Sequence, residues 1–140
     1  MQARRLANDG FAIAVNDSGD SSAAQKLAAE LKAAGRQAIT VQGDVTDPGD
    51  VENLFKRTLA TFGGIDVVVH AAGIMPLRPI VEGHIATFDK VVAVNLRGAF
   101  LVLGKRRGTS LRVAGLSLFQ AAFWRSLFPL TVRTLLRKRA

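Results

Sequence analysis

The stretch GGIDVVVHAAG, Gly63 to Gly73, decides how the chain folds. Two glycines interrupt whatever precedes it, and Ile65 to Val69 then forms a run rich in β-branched residues that lacks polar alternation. Such a run reads as a strand buried on both faces, as in a parallel sheet covered by helices. It breaks off into His70, two alanines and a glycine before the chain reaches Pro76. Residues with so little side chain at the carboxyl end of a buried strand let another backbone or a ligand come close. In open α/β sheets that edge is where ligands bind. A tight strand-to-loop turn with no ligand is the competing reading.

Outward from this strand, the same kinds of element recur. Gln2 to Asn8 reads as the end of a helix closed by Asp9-Gly10, and Phe11 to Asn16 as an apolar strand. Ser21 or Ser22 can cap a helix over Ala23 to Ala34, with Leu27, Leu31 and Ala34 on one face and Gly35 as its stop. Gln37 to Gln42 is a second strand. Asp47 and Pro48 open a helix in which Val51, Leu54, Phe55, Leu59 and Phe62 recur at helical spacing. The third strand is Ile65 to His70. Ala86 to Leu103 then reads as one long helix with Phe88, Val91, Val92, Leu96 and Phe100 along its apolar face. Strands alternating with helices imply βαβ units and an α/β fold with a doubly wound parallel sheet.

Composition narrows the function. The chain has 140 residues, 49% of them hydrophobic, enough for one domain with a core. It has no cysteine, which excludes disulfides, a thiol nucleophile and thiolate metal sites, and its two histidines are far apart, which argues against a metal centre. The start MQARRLANDG lacks the apolar core of a signal peptide, so a soluble cytoplasmic protein is expected. The net charge of +8 is unevenly spread. All 11 acids fall before Gly104, roughly balanced by basic residues there, whereas residues 104–140 hold basic residues and no acid.

Three segments together carry a resemblance: GDVTDP (Gly43 to Pro48), GGIDVVVHAAG (Gly63 to Gly73) and VNLRGAF (Val94 to Phe100). In this order and on these elements, most of residues 1–103 resembles the short-chain dehydrogenase/reductase family. The resemblance implies a Rossmann sheet that binds NAD or NADP and transfers hydride between the nicotinamide and a small alcohol or ketone, often in a homo-oligomer. It places His70, Ala71, Ala72 and Gly73 where the family has an Asn-Asn-Ala-Gly turn bordering the cofactor's adenosine side. His70 and Ala71 depart from the two asparagines, and His70 also reads as a packed strand-end histidine. Asp44 takes the place of the carboxylate that accepts from the adenine amino group, and the N–H of Val45 that of the ring contact; a turn aspartate capping its own loop is the alternative. Asn16, Asp17 and Ser18 fall where the family meets the ribose. A carboxylate there favours NAD, and the adjacency of Asn16 and Asp17 leaves NAD or NADP open. Asn95, a poor residue for a helix interior, matches the asparagine that kinks this helix and helps hold a water in the family's proton relay.

Two family features do not appear. The first strand and the Gly-rich pyrophosphate turn are expected upstream of ARRLANDG, and losing a strand from the middle of the sheet should leave a gap with unpaired backbone groups. Val67 to Val69 and Phe11 to Val15 should then expose apolar surface, and the chain should aggregate or stay partly molten. The family's Tyr-x-x-x-Lys pair is absent as well, because the chain contains no tyrosine. Shifting the reading frame by one nucleotide lets Leu130 to Arg139 be reread as YGPYIASKA, which restores that pair. The expected organisation is therefore a partial dinucleotide-binding domain over residues 1–103 and an out-of-frame basic tail over residues 104–140. As a segment for an anionic membrane or nucleic acid the tail is disfavoured, because Pro129 interrupts any long helix and no nucleic-acid motif accompanies Trp124. A non-catalytic nucleotide-binding or interaction protein on the same half-sheet is the alternative function.

Overall fold

Strand β1, Phe11–Asp17, sends successive side chains to opposite faces of a sheet, and each face meets its own layer of helices. The computed structural model describes residues 2–77, 79–105, 112–113 and 133–138. Ile13 and Val15 pack with Ala3 and Ala7 of α1 (Gln2–Asn8) and with Ala24, Leu27, Ala28 and Leu31 of α2 (Ser22–Ala33). Ala14, between them in sequence, joins the other cluster with Val51, Leu54 and Phe55 of α3 (Pro48–Phe62). Helices thus cover both faces, and a fully buried aliphatic side chain in either layer contributes about 1.5–3 kcal/mol.

The ends of α3 follow from local chemistry. Asp47 Oδ1 accepts the Asp50 N–H at 2.9 Å, Pro48 occupies the first turn where no N–H is needed, and Gly63 at φ 74° closes the helix by donating to Leu59 O at 2.7 Å. At α2 the expected serine cap takes another form. Ser21 makes no capping bond, and the Asp20 carboxylate accepts the Ser22 N–H instead, at 2.9 Å.

Strand β1 pairs in parallel with β2 (Ala38–Gln42), Ile13 facing Ala38 and Asp17 facing Gln42. Strand β3 is Val67–Val69, shorter than expected; Ile65 lies outside it and is buried all the same. A short β4, Arg112–Val113, runs parallel to β3. The centre of the sheet departs from expectation. Strand β5, Arg133–Lys138, lies between β1 and β3 and runs antiparallel to both, giving the order β2-β1-β5-β3-β4. Leu136 is the register partner of Ile13 on one side and of Val67 on the other. The expected open gap is therefore filled. Ala12 to Val15 and Val68 to Val69 are buried rather than exposed, because a six-residue strand meets the backbone on both flanks. Apart from residues 104–105, 112–113 and 133–138, the basic tail and its reread frame lie outside the described residues.

The expected long helix is interrupted. Helix α4 (Ile85–Val92) passes through a π-helical turn at Ala93–Arg97 into α5 (Gly98–Gly104). The wider turn shifts the phase of the helical stripe, so the residues that pack are Gly98 and Val102, one α-helical turn apart. Phe88, Leu96 and Phe100, expected on the packed face, are 63%, 62% and 75% exposed.

Candidate functional site

Both β1 and β3 run against β5, so they point the same way, and β2 points with β1. The carboxyl ends of all three meet at one sheet edge, where three turns follow them. Arg133, at the amino end of β5, is the register partner of Asn16 and lies at the same edge.

The first turn follows β1. Asn16 is buried, and its Nδ2 donates to Val41 O at 2.8 Å and to Gly43 O at 3.1 Å. Its amide braces the ends of β1 and β2. Asp17, one residue on, accepts the Gly19 N–H on Oδ1 at 3.2 Å. Its Oδ2 is buried and has no hydrogen-bond partner among the described residues. A buried carboxylate oxygen in that state fits a donor such as a hydroxyl group. Ser18 is exposed beside it, and Gln42 Nε2 closes the turn by donating to Gly19 O at 2.9 Å. Within the same loop, the Ser22 N–H and then the Ser22 hydroxyl hold the Asp20 carboxyl below the usual carboxylate range.

The second turn, residues 43–47, follows β2. The Asp44 N–H donates to Asp50 Oδ2 at 2.8 Å, the Thr46 N–H to Asp44 Oδ1 at 2.9 Å, and the Asp47 N–H to Asp44 O at 3.1 Å. One oxygen of exposed Asp44 therefore caps its own turn. The Val45 side chain is buried in the α3-side core, and its N–H has no hydrogen-bond partner among the described residues. The turn is internally tied and leaves one backbone donor open.

The third turn follows β3. His70 and Ala72 are buried, and Ala71 and Gly73 half-buried. Asn95 grips the next residue at both ends of its peptide: its Oδ1 accepts the Ile74 N–H, and its Nδ2 donates to Ile74 O, each at 2.8 Å. Asn95 reaches Ile74 from the middle of the π turn, where the Gly98 N–H bonds to Ala93 O. Where the resemblance implies a kink at Asn95, the helix has a π turn. Arg97, the last residue of the π turn, and Gly98, the first of α5, meet the second loop. Arg97 Nη1 donates to Thr46 O at 2.6 Å, and a Cβ on Gly98 would sit 2.6 Å from Val45 Cγ2.

Residues 95–98 therefore hold two of the three turns. Sequence reading singled out Asn95 and overlooked Arg97, Gly98 and Asp50. An exposed arginine on a helix reads as solvated, and only its contact with a distant turn reveals it. Among the described residues, no group of three or more His, Asp or Glu is placed to hold a metal ion, and no helix is long and apolar enough to cross a membrane.

Comparison with known proteins bears on this edge. The family model described as enoyl-(acyl carrier protein) reductase matches residues 1–115. The short-chain dehydrogenase/reductase eriH of Hericium erinaceus is 46% identical over 100 residues, which cover 69% of this chain and 40% of that protein. Among solved structures, a dehydrogenase/reductase from Sinorhizobium meliloti 1021 superposes with a TM-score of 0.75 at 30% identity, over 85% of this chain and 54% of that one. A short chain dehydrogenase from Burkholderia cenocepacia J2315, in complex with NADP, gives 0.73 at 32% identity over 81% and 47%. The chain thus spans about half or less of the length of these relatives.

Proposed function

Because the chain belongs to the short-chain dehydrogenase/reductase family, we propose that it forms the adenosine-side half of the site of an NAD(P)-dependent oxidoreductase acting on a small alcohol or carbonyl compound. The cofactor is NAD or NADP, and when bound it supplies or accepts the hydride. The observation that supports this reading is one sheet edge bearing an acceptor and a donor left open among the described residues: the buried Asp17 Oδ2 and the Val45 N–H. Asp17, with Ser18 beside it, meets the ribose hydroxyls, and Asn16 holds the strand end that carries them. Asp44 and the Val45 N–H meet the adenine. His70 closes the end of β3, and Ala71, Ala72 and Gly73 leave room for the nucleotide because they carry so little side chain. Asn95 fixes that small-residue turn through Ile74.

The 140-residue chain itself does not turn over substrate. Transfer of hydride leaves or consumes a proton on the substrate oxygen, and the sequence contains no tyrosine to exchange it. Losing a positioned acid costs about 10²–10⁴-fold. Asn95 does not titrate near neutrality, and arginines stay protonated. The genetic code permits a Tyr-x-x-x-Lys pair in the neighbouring frame of residues 130–139, and genomic sequence showing a continuous, error-free frame through Ala140 would remove that idea. To test the function, the 140-residue chain and a version carrying an upstream Gly-rich turn and the restored pair are assayed by nicotinamide absorbance with short alcohols and ketones. Only the restored version should show turnover, and protein-dependent oxidation by the 140-residue form would overturn the proposal. The absence of tyrosine also favours a second reading, a nucleotide-binding protein without catalysis. Binding without turnover in both forms would establish it.

A further inference from the structure

We propose that Arg97 and Gly98 are positioning residues for the nucleotide, holding the turn at Asp44–Thr46 from the helix side without touching the ligand themselves. The inference rests on the nucleotide reading above. The turn is tied internally through Asp44 and Asp50, but those bonds lie within residues 44–50 and do not fix it against the rest of the edge. Two contacts do. The Val45 side chain fits where Gly98 has no Cβ, and the Arg97 guanidinium holds Thr46 O on the other side of the same residue. Val45 is thereby held through its side chain on one side and through its following carbonyl neighbour on the other, which sets where its open N–H stands. The π turn makes this possible, because Asn95, Arg97 and Gly98 reach two separate loops from four consecutive positions. The adenine-side turn and the small-residue turn after β3 are therefore referenced to one rigid piece of helix. A donor misplaced by a fraction of an ångström forms a weaker bond, so the latch acts on affinity through geometry.

The test uses the 140-residue chain and its variants Arg97→Met, Arg97→Lys and Gly98→Ala, with adenosine 5′-monophosphate and NADP as the titrated probes. Amide hydrogen exchange at Thr46 and Asp47, whose N–H groups are bonded within the turn, is followed in parallel. Arg97→Met should weaken both probes about 5-fold, in line with the loss of one charge-assisted bond, and should speed exchange at Thr46 and Asp47. Exchange in α2 and the thermal midpoint should stay as in the parent chain. Arg97→Lys, which can still donate to Thr46 O, should recover much of both effects, and a general loss of folding would not be rescued in this way. Gly98→Ala should displace Val45 and weaken the probes further. Unchanged exchange at Thr46 and Asp47 in Arg97→Met would overturn the latch, and faster exchange with unchanged affinity would overturn its link to the nucleotide. If the parent chain binds neither probe, the nucleotide reading falls and with it the ligand role of the latch, while the exchange result still decides whether Arg97 holds the turn.

Discussion

Asn95 presents an acceptor and a donor to a single peptide unit, much as a strand neighbour would, and it does so from inside a helix. Replacing it with leucine leaves the half-buried N–H and C=O of Ile74 unpaired, so Asn95→Leu should lower stability by about 1–3 kcal/mol. Asn95→Asp keeps the bond from the Ile74 N–H but sets a carboxylate against Ile74 O, and should not restore what leucine loses. Urea unfolding of both variants checks this, and midpoints equal to that of the parent chain would show that the amide pair contributes nothing. Asparagine inside an apolar helix is visible in sequence because its propensity is poor, and for that reason Asn95 could be picked out. Its partner could not, since Ile74 is bound through its backbone and its side chain carries no sign of it. The difference between Asn16 and Asp17 was equally hidden: the inward turn of one amide, bonded to Val41 and Gly43, leaves the neighbouring carboxylate at the edge.

At the scale of elements, helix limits were legible wherever a residue with one dominant use marks them. Asp47 followed by Pro48 at the start of α3, and Gly63 at its end, are such marks. Asp47→Ala should cost about 1 kcal/mol by leaving the Asp50 N–H uncapped, whereas Asp47→Asn should keep most of it. Thermal unfolding of the two variants side by side is the check, and equal losses would mean that the cap does not stabilise α3. The break in the helix over residues 85–104 was legible only as a kink. Apolar residues at Phe88, Val91, Val92, Leu96 and Phe100 follow an unbroken α-helical period, and the extra residue in the π turn leaves no trace in that pattern. The packed face therefore turned out to be Gly98 and Val102, a glycine and a valine that no stripe emphasises. Gly98 is packed because it is small, which a search for bulky apolar residues cannot find.

For the whole molecule, the layer order and the parallel pairing of β1 with β2 were legible from alternating strands and helices, and the occupant of the sheet's centre was not. Strand β5 pairs with elements more than a hundred residues before it in β1, and no local pattern specifies such a contact. Deleting residues 133–140 should uncover the inner edges of β1 and β3 and drive self-association, measured by sedimentation. A peptide of sequence RTLLRK added in trans should reverse it. A truncated chain that stays monomeric would show that β5 is dispensable. The tether to this strand has a further consequence. Strands β4 and β5 belong to one chain, separated by 19 residues from Val113 to Arg133, so the strand meets its slot at a local concentration on the order of millimolar, set by the chain length between them. Diluting the protein does not lower that value. The same strand from a second molecule competes only when the protein itself approaches it, so exchange of β5 between copies belongs to crowded solutions, and dilute ones keep each slot filled by its own chain.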